Sequence, residues 1–371
     1  MIIGVPKEIK NNENRVGLIP SGVYALTKLN NTVLIEKNAG LNSGYSDELY
    51  IEAGATIIDS AKEVYKRSEM IIKVKEPQES EFELLQENQI LFTYLHLAPD
   101  YKQAKALLDK KVSAIAYETV QKEDKSLPLL APMSEIAGKM SVQIGATLLQ
   151  KNNEGKGVLL GGVSGVLPAE VLIIGAGVVG TNAARVASGM GARVIVADVN
   201  LSALKKINDL FNGHVNTMIS SELDLLNLMS KTDLLISSVL VPGSRAPKVI
   251  SEEMVKKMQP GSVIVDVAID QGGSVETIDR TTSHDNPYYI KHGVIHYSVA
   301  NMPGAVSKSS TQALTAATIS YIKDISTKGL IKAIKEDSSL KAGLNTYQGK
   351  LTYKAVSQSL NIEYTDIDTL I

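Results

Sequence analysis

Four ionisable side chains, each just past a short run of β-branched and aliphatic residues, are placed to do chemistry. After residues 2–5 comes the polar stretch Lys7-Glu8-Ile9-Lys10-Asn11-Asn12-Glu13-Asn14-Arg15, which returns to apolar character at Val16. Residues 70–74 run into Lys75, residues 90–94 lead to His96, and residues 262–267 lead to Asp270. Ligands of open α/β sheets sit beyond the carboxyl ends of the strands, so all four are in position to meet one. A 2-oxo acid needs such a set. A guanidinium clamps its carboxylate, a second cation polarises its carbonyl oxygen, an imidazole exchanges protons near neutral pH, and a carboxylate steers water or ammonia. Each residue also has an ordinary reading: Arg15 and Lys75 are common surface types, His96 suits a satisfied loop histidine, and Asp270, ahead of Gln271-Gly272-Gly273, suits a turn. Joint placement favours the functional reading without identifying a reaction.

A second pattern binds phosphate. Val171-Leu172-Ile173-Ile174 runs directly into Gly175-Ala176-Gly177-Val178-Val179-Gly180, where a helical pattern begins. Gly175 permits the tight turn, Gly177 lets backbone approach a pyrophosphate, and Gly180 allows close helix–strand packing at a helix N-terminus rich in N–H donors. The next strand-like run ends at Asp198, whose carboxylate is placed for the ribose hydroxyls of NAD and would repel the 2′-phosphate of NADP. The bare alternative is a glycine turn with a solvated Asp198; strand, helix and acid in register argue against it. Ser238-Val239-Leu240-Val241-Pro242-Gly243 resembles a loop passing over the nicotinamide side. Val299-Ala300-Asn301-Met302-Pro303-Gly304 reads either as another loop at the cofactor end or as an ordinary X-Pro-Gly turn.

The elements that position these groups alternate between β-rich runs and amphipathic stretches, the signature of parallel sheets built from βαβ units. One set of strands is expected at 2–5, 32–35, 55–58, 70–74, 90–94 and 113–116, with helices at 61–67, 81–86 and 101–110. A second set is expected at 170–174, 193–197, 234–238 and 262–267, with helices at 180–189 and 201–208. Residues 134–150 read as a helix joining the two sets, the Gly-rich 155–165 as a linker, and 311–323 and 330–336 as helices returning to the first domain. The expected fold is therefore α/β, with two Rossmann-like domains, parallel doubly wound sheets and an active site in the interdomain cleft. The substrate domain spans 1–128 plus 306–371 and the NAD-binding domain 129–305.

Composition narrows the partners. In 371 residues, 38 Lys and Arg stand against 40 Asp and Glu, a balance that favours neither nucleic acid nor an anionic membrane surface and leaves a small molecule. The absence of cysteine excludes disulfides, thiolate nucleophiles and Cys-ligated metals, and agrees with a cytoplasmic protein. The N-terminus lacks the layout of a secretory signal, and no uncharged apolar run approaches the roughly 20 residues of a membrane span. His292 and His296 lie on a turn and strand, where their spacing separates side chains by about 13 Å, so no metal site is expected. His214 and His284 sit in polar, turn-rich surroundings.

These motifs match a known family. Gly4-Val5-Pro6-Lys7-Glu8 with Glu13-Asn14-Arg15-Val16-Gly17-Leu18-Ile19-Pro20, Val74-Lys75-Glu76-Pro77, Thr93-Tyr94-Leu95-His96-Leu97-Ala98-Pro99, the glycine loop and Asp266-Val267-Ala268-Ile269-Asp270-Gln271-Gly272-Gly273 closely resemble alanine dehydrogenases, in order and over essentially the whole chain. The resemblance implies interconversion of L-alanine with pyruvate and ammonium by hydride transfer to and from NAD. It implies that Arg15 and Lys75 bind the substrate carboxylate and carbonyl, and that His96 and Asp270 share acid–base work. It also implies cofactor contacts at Ser134, Val178, Val179, Asp198, Ser220, Val239, Leu240, Val267, Ala268, Ile269, Asp270, Arg280, Val299, Ala300, Asn301 and Met302, and a homohexamer. Some members have isoleucine at the position of Val267 and a basic residue at that of Ala203. The NAD(H)-binding component of proton-translocating transhydrogenase resembles this chain too, but works with a membrane partner and does no chemistry on a keto acid. Lys75 and His96 at strand ends, and an end at residue 371 without membrane segments, favour the free-standing enzyme over that component or over a non-catalytic NAD sensor.

Overall fold

Short aliphatic runs punctuated by Gly, Asn and Asp turns become strands in a computed structural model that describes residues 1–239 and 246–371. The described chain divides into two compact units, Met1–Met133 with Val306–Ile371, and Ser134–Ala305. In the first, β1 (Ile2–Val5), β2 (Thr32–Glu36), β3 (Thr56–Ile58), β4 (Met70–Ile72), β5 (Ile90–Thr93) and β6 (Ser113–Ala116) pair in parallel in the spatial order β3-β2-β1-β4-β5-β6. Every residue of β4, β5 and β6 is buried, as a parallel sheet covered on both faces requires.

In the second unit, β7 (Glu170–Ile174), β8 (Arg193–Asp198), β9 (Asn216–Ile219), β10 (Leu234–Ser237) and β11 (Val263–Asp266) are joined by β12 (Tyr288–Lys291) and β13 (Val294–Tyr297). The spatial order is β9-β8-β7-β10-β11-β13-β12. Alternate residues of β10 enter different cores, Leu234 and Ile236 on one face and Leu235 on the other. In both units the order reverses beside the first strand, between β1 and β4 and between β7 and β10, which is the doubly wound arrangement.

Three details differ from the sequence expectation. The sheets are parallel-dominated rather than wholly parallel: β12 runs antiparallel on β13, and beyond helix Ser307–Lys328 the chain adds β14 (Leu344–Tyr347) antiparallel to β6 and β15 (Lys350–Leu351) antiparallel to β14. Residues 81–86 form no α-helix; the segment is the 3₁₀ turn Glu79–Leu84, fixed by a reciprocal capping box between Gln78 and Glu81. The segment 155–165 is not a linker between domains but lies within the second unit, where Lys156 N–H donates to the Gly261 carbonyl at 3.0 Å. Among the described residues no helix is long and apolar enough to cross a membrane.

Phe92 and Tyr117 meet edge to face at 4.4 Å between centroids, and Tyr94 does the same against Tyr117 at 5.0 Å. The Tyr117 hydroxyl is buried with no hydrogen-bond partner among the described residues. An unsatisfied buried hydroxyl is destabilising, so Tyr117→Phe should raise unfolding free energy by about 1 kcal/mol in a denaturant titration. A clear loss of stability would show that the hydroxyl is satisfied.

Candidate active site

In the first unit, Arg15 and Lys75 follow β1 and β4, the two strands flanking the order reversal, and His96 follows β5 beside them. The Arg15 side chain is only 2% exposed. Its Nε donates to Glu13 Oε1 at 2.7 Å and its Nη2 to Glu13 Oε2 at 2.5 Å, while Nη1 lies 3.1 Å from the Met133 sulfur. Glu13 thus grips the guanidinium through its Nε and Nη2 donors and fixes its orientation. Burial would raise the Glu13 carboxyl, but hydrogen bonds and charge from Arg15, helped by the charge of Lys75, hold it below the ordinary 4.5. Lys75 is half-buried, and its own backbone is bonded on both sides: its N–H donates to Glu8 Oε1 at 3.3 Å and its carbonyl accepts from Thr93 Oγ1 at 2.8 Å.

His96 is exposed and has a left-handed backbone, φ 46°. Its N–H donates to Glu118 Oε1 at 2.7 Å, and the neighbouring Leu95 N–H also reaches that carboxylate. The imidazole stacks on Tyr94 at 6.2 Å with the ring planes 14° apart, and the Tyr94 hydroxyl donates to the Leu129 carbonyl at 2.7 Å. Burial pushes the Tyr94 phenol far up, so it stays neutral although Arg15 pulls the other way. Glu8, Glu13, Thr93, Tyr94 and Glu118 thus hold the segments that carry Arg15, Lys75 and His96, and the sequence reading assigned a role to none of them.

In the second unit, Gly175 adopts φ 103°, and a Cβ on Gly180 would stand 1.8 Å from the Gly175 carbonyl oxygen. Among the described residues nothing lies within 4 Å of a Cβ placed on Gly177, which precedes helix Val178–Gly189 without a side-chain cap. The helix begins at Val178, so its first N–H groups stand at the end of the glycine loop, the donors a pyrophosphate needs. Asp198, half-buried at the end of β8, accepts from Ala176 N–H at 2.6 Å and Asn200 N–H at 2.7 Å, and its carbonyl accepts from Ser220 N–H at 3.0 Å. Gly175, Asp198 and Ser220 are thereby tied into one cluster, and the residues present fit a dinucleotide.

A second cluster forms past β11 and β13. The 3₁₀ turn Val267–Gln271 carries half-buried Val267, buried Ala268 and Ile269, and exposed Asp270. It is capped by Asp266, which accepts from Ala268 N–H at 2.9 Å and Ser274 N–H at 2.8 Å. Burial raises the Asp266 carboxyl above the ordinary 3.8 against those donors. Thr282 bridges Val299, linking the Arg280 segment to Val299, half-buried Ala300, left-handed Asn301 and buried Met302. The Arg280 guanidinium lies over the Tyr289 ring at 4.2 Å; among the described residues no hydrogen bond joins it to the glycine loop. Ser134 is half-buried in helix Ala131–Leu148, Val239 is half-buried after β10, and Leu240 lies outside the described residues. His296 is buried in β13 against the Thr277 hydroxyl at 2.7 Å, and burial pushes it down to about 4.

Fold and site together define an α/β dinucleotide-binding protein whose other unit carries Arg15, Lys75 and His96 on the loops beyond its strand ends. The chain belongs to the alanine dehydrogenase/PNT family: the N-terminal domain model matches residues 4–137 and the C-terminal domain model residues 141–354. It is 60% identical over 365 residues, 98% of each chain, to a Methanococcus maripaludis protein named alanine dehydrogenase. A solved L-alanine dehydrogenase structure superposes with a TM-score of 0.94 at 48% identity, covering 97% of this chain and 99% of that one. A transhydrogenase from Sinorhizobium meliloti shares the fold at a TM-score of 0.82 and 23% identity, over 95% of this chain and all of that one. Membership of this family implies a nicotinamide cofactor.

Two outcomes test the geometry. Gly180→Ala should destabilise the protein by about 1–3 kcal/mol through overpacking and weaken NADH binding with it. Glu13→Gln leaves a buried guanidinium without its counter-charge and should cost about 3 kcal/mol at pH 7. Because the folded-state carboxyl titrates below its unfolded value, its contribution is full above 4.5 and is lost as pH falls through the folded value. The gap between wild type and variant should therefore narrow in denaturant titrations carried below pH 4.5; a gap independent of pH would contradict the ion pair's role.

Proposed function

We propose that this protein is an NAD-dependent alanine dehydrogenase that converts L-alanine, water and NAD to pyruvate, ammonium and NADH, and runs the reverse amination. The observation that carries this reading is the end-to-end match, 60% identical over 98% of the chain, to a protein of that name. The site chemistry supports it. Arg15, its guanidinium oriented by Glu13, binds the substrate carboxylate, and Lys75 polarises the carbonyl oxygen. His96 is the general acid/base, with Asp270 orienting water or ammonia and sharing proton transfers. The nicotinamide, when bound, supplies the hydride acceptor for deamination and the donor for amination.

The dinucleotide is held by the glycine loop from Gly175 to Gly180, by Asp198 and Ser220, and by Ser134, Val239, Leu240, Val267, Ala268, Ile269, Arg280, Val299, Ala300, Asn301 and Met302. Asp198 selects NAD over NADP. Two N–H donors fix its carboxylate and leave lone pairs on each oxygen for ribose hydroxyls, while a 2′-phosphate meets like charge. The same reading makes the working enzyme a cytoplasmic homohexamer.

NADH consumption should be rapid with pyruvate and ammonium, slower with glyoxylate, and negligible with oxaloacetate or 2-oxoglutarate; NADPH should substitute poorly. His96→Ala and Asp270→Asn should each lower turnover by about 10²–10⁴-fold while NADH affinity holds. The chain has no Trp, so nicotinamide fluorescence reports that affinity without indole overlap. Near-normal turnover in both variants would misplace the acid–base site, and equal efficiency with NADH and NADPH would remove the role given to Asp198.

A further inference from the structure

The Lys73 ammonium is completely buried one residue past β4. It lies 3.2 Å from Glu8 Oε2 and 2.8 Å from Glu81 Oε1. The same Glu81 oxygen accepts from the Tyr65 hydroxyl at 3.0 Å, and Glu81 Oε2 accepts from Gln78 N–H at 2.8 Å. Glu8 turns its other oxygen to the chain ahead of the site, accepting from Val74 N–H at 2.6 Å and Lys75 N–H at 3.3 Å. From β5, Thr93 Oγ1 donates to the Lys75 carbonyl at 2.8 Å, and Tyr94 N–H donates to the Val74 carbonyl at 3.2 Å. A second brace joins the same two loops, because Lys10 pairs with Glu76.

Stability alone gives no reason for this lattice. Desolvating three charges is expensive, and well-packed apolar residues of similar volume are often as stable. What the lattice does achieve is geometric: the loop that carries Arg15 is joined through Glu8 to the backbone that carries Lys75. A 2-oxo acid presents its carboxylate and its carbonyl on adjacent carbons, so the two cations that read it must keep a fixed separation. An error near 1 Å in such a placement is enough to cost about a hundredfold in rate.

We propose that Glu8, oriented by Lys73, and Thr93 are positioning residues that clamp the Lys75 backbone from both sides and set its spacing from Arg15 for a 2-oxo acid. This rests on the role given to Lys75 above. The test is a double-mutant cycle between Thr93→Val, which removes the hydroxyl at nearly constant volume, and Lys75→Ala, measured by single-turnover NADH oxidation with pyruvate and ammonium. Thr93→Val should raise pyruvate KM, lower kcat and reduce kcat/KM by about tenfold or more. Thr93→Ser, which keeps the hydroxyl, should restore most of the loss, and NADH affinity should stay level throughout. In the Lys75→Ala background Thr93→Val should have little further effect, since the group it positions is gone.

Equal fractional losses with and without the Lys75 side chain, or a Thr93→Val enzyme with wild-type kcat/KM, overturn the proposal. A Lys75→Ala enzyme of near-normal activity instead overturns the reading of Lys75 itself, so the two failures are distinct. If Thr93→Val does not fold, Glu8→Gln combined with Lys73→Met removes one charge of each sign and takes its place in the cycle, with the same expected and overturning results.

Discussion

A parallel sheet covered by helices on both faces has only its strand ends free for polar chemistry, and everything functional in this protein follows from that constraint. Where strand order reverses, the crossover helices leave in opposite directions, so the loops beyond the two flanking carboxyl ends have room to receive a ligand. The chain uses this opening twice. Between β7 and β10 it places uncapped helix N–H groups and a glycine with empty space beside it. Between β1 and β4 it places a guanidinium and an ammonium. The first opening suits a dinucleotide phosphate and the second a small carboxylate, and neither sheet needs irregular strands to provide it.

Cations cannot simply be inserted at a buried sheet end. Arg15 and Lys73 are withdrawn from water, and each is matched by carboxylates: Glu13 on Arg15, Glu8 and Glu81 on Lys73. Burial would lower the Lys73 ammonium, but the charges and hydrogen bonds of its two partners more than offset this and keep it protonated. Burial pushes the Glu8 carboxyl up despite Lys73, as expected for an acid sharing one cation with a second acid. These carboxylates stop the cations from withdrawing into alternative pairings. The cost is a polar network that must be satisfied throughout to be tolerable at all.

How much of this the sequence exposed depends on the range of the interaction. The glycine loop, its strand and Asp198 were legible because the turn, the helix start and the acid are local, with fixed spacing. Arg15, Lys75, His96 and Asp270 stood out as candidates because each lies in a segment that leaves the carboxyl end of a strand. Glu118 was not: it meets the His96 N–H across 22 residues, and nothing in its own neighbourhood marks it. Asp266 was quoted as part of a motif, but its job as the cap that shapes the Asp270 turn depends on a reversal that brings Ser274 back onto it. Lys73 did leave a signal. A lysine inside the apolar run 70–74, which must be covered on both faces, requires buried counter-charges somewhere, and acidic residues of the first polar loop were candidates for supplying them. The antiparallel edge of β14 and β15 was hidden because Thr346, Asn345 and their neighbours are polar and satisfy one another through side-chain hydrogen bonds, such as Thr346 Oγ1 to the Val112 carbonyl at 2.7 Å.

His96 stands on a strained backbone, φ 46°. A left-handed conformation at a residue with a Cβ costs about 1–2 kcal/mol and persists only where the surroundings over-determine it. Here they do: one Glu118 carboxylate accepts the N–H groups of both Leu95 and His96, and Gln103 donates to the Leu95 carbonyl at 3.1 Å. Tyr94, immediately before, is locked by its hydroxyl bond to Leu129 and offers the face on which the imidazole stacks. The histidine is thus exposed at its ring and fixed at its backbone. The proton-transfer role proposed for it requires that combination, because such a group must meet solvent or substrate without losing its aim. The strain in φ is the local sign that the chain has been bent to deliver the ring there, and the same β4–β5 corner that holds Lys75 through Thr93 supplies the rigidity.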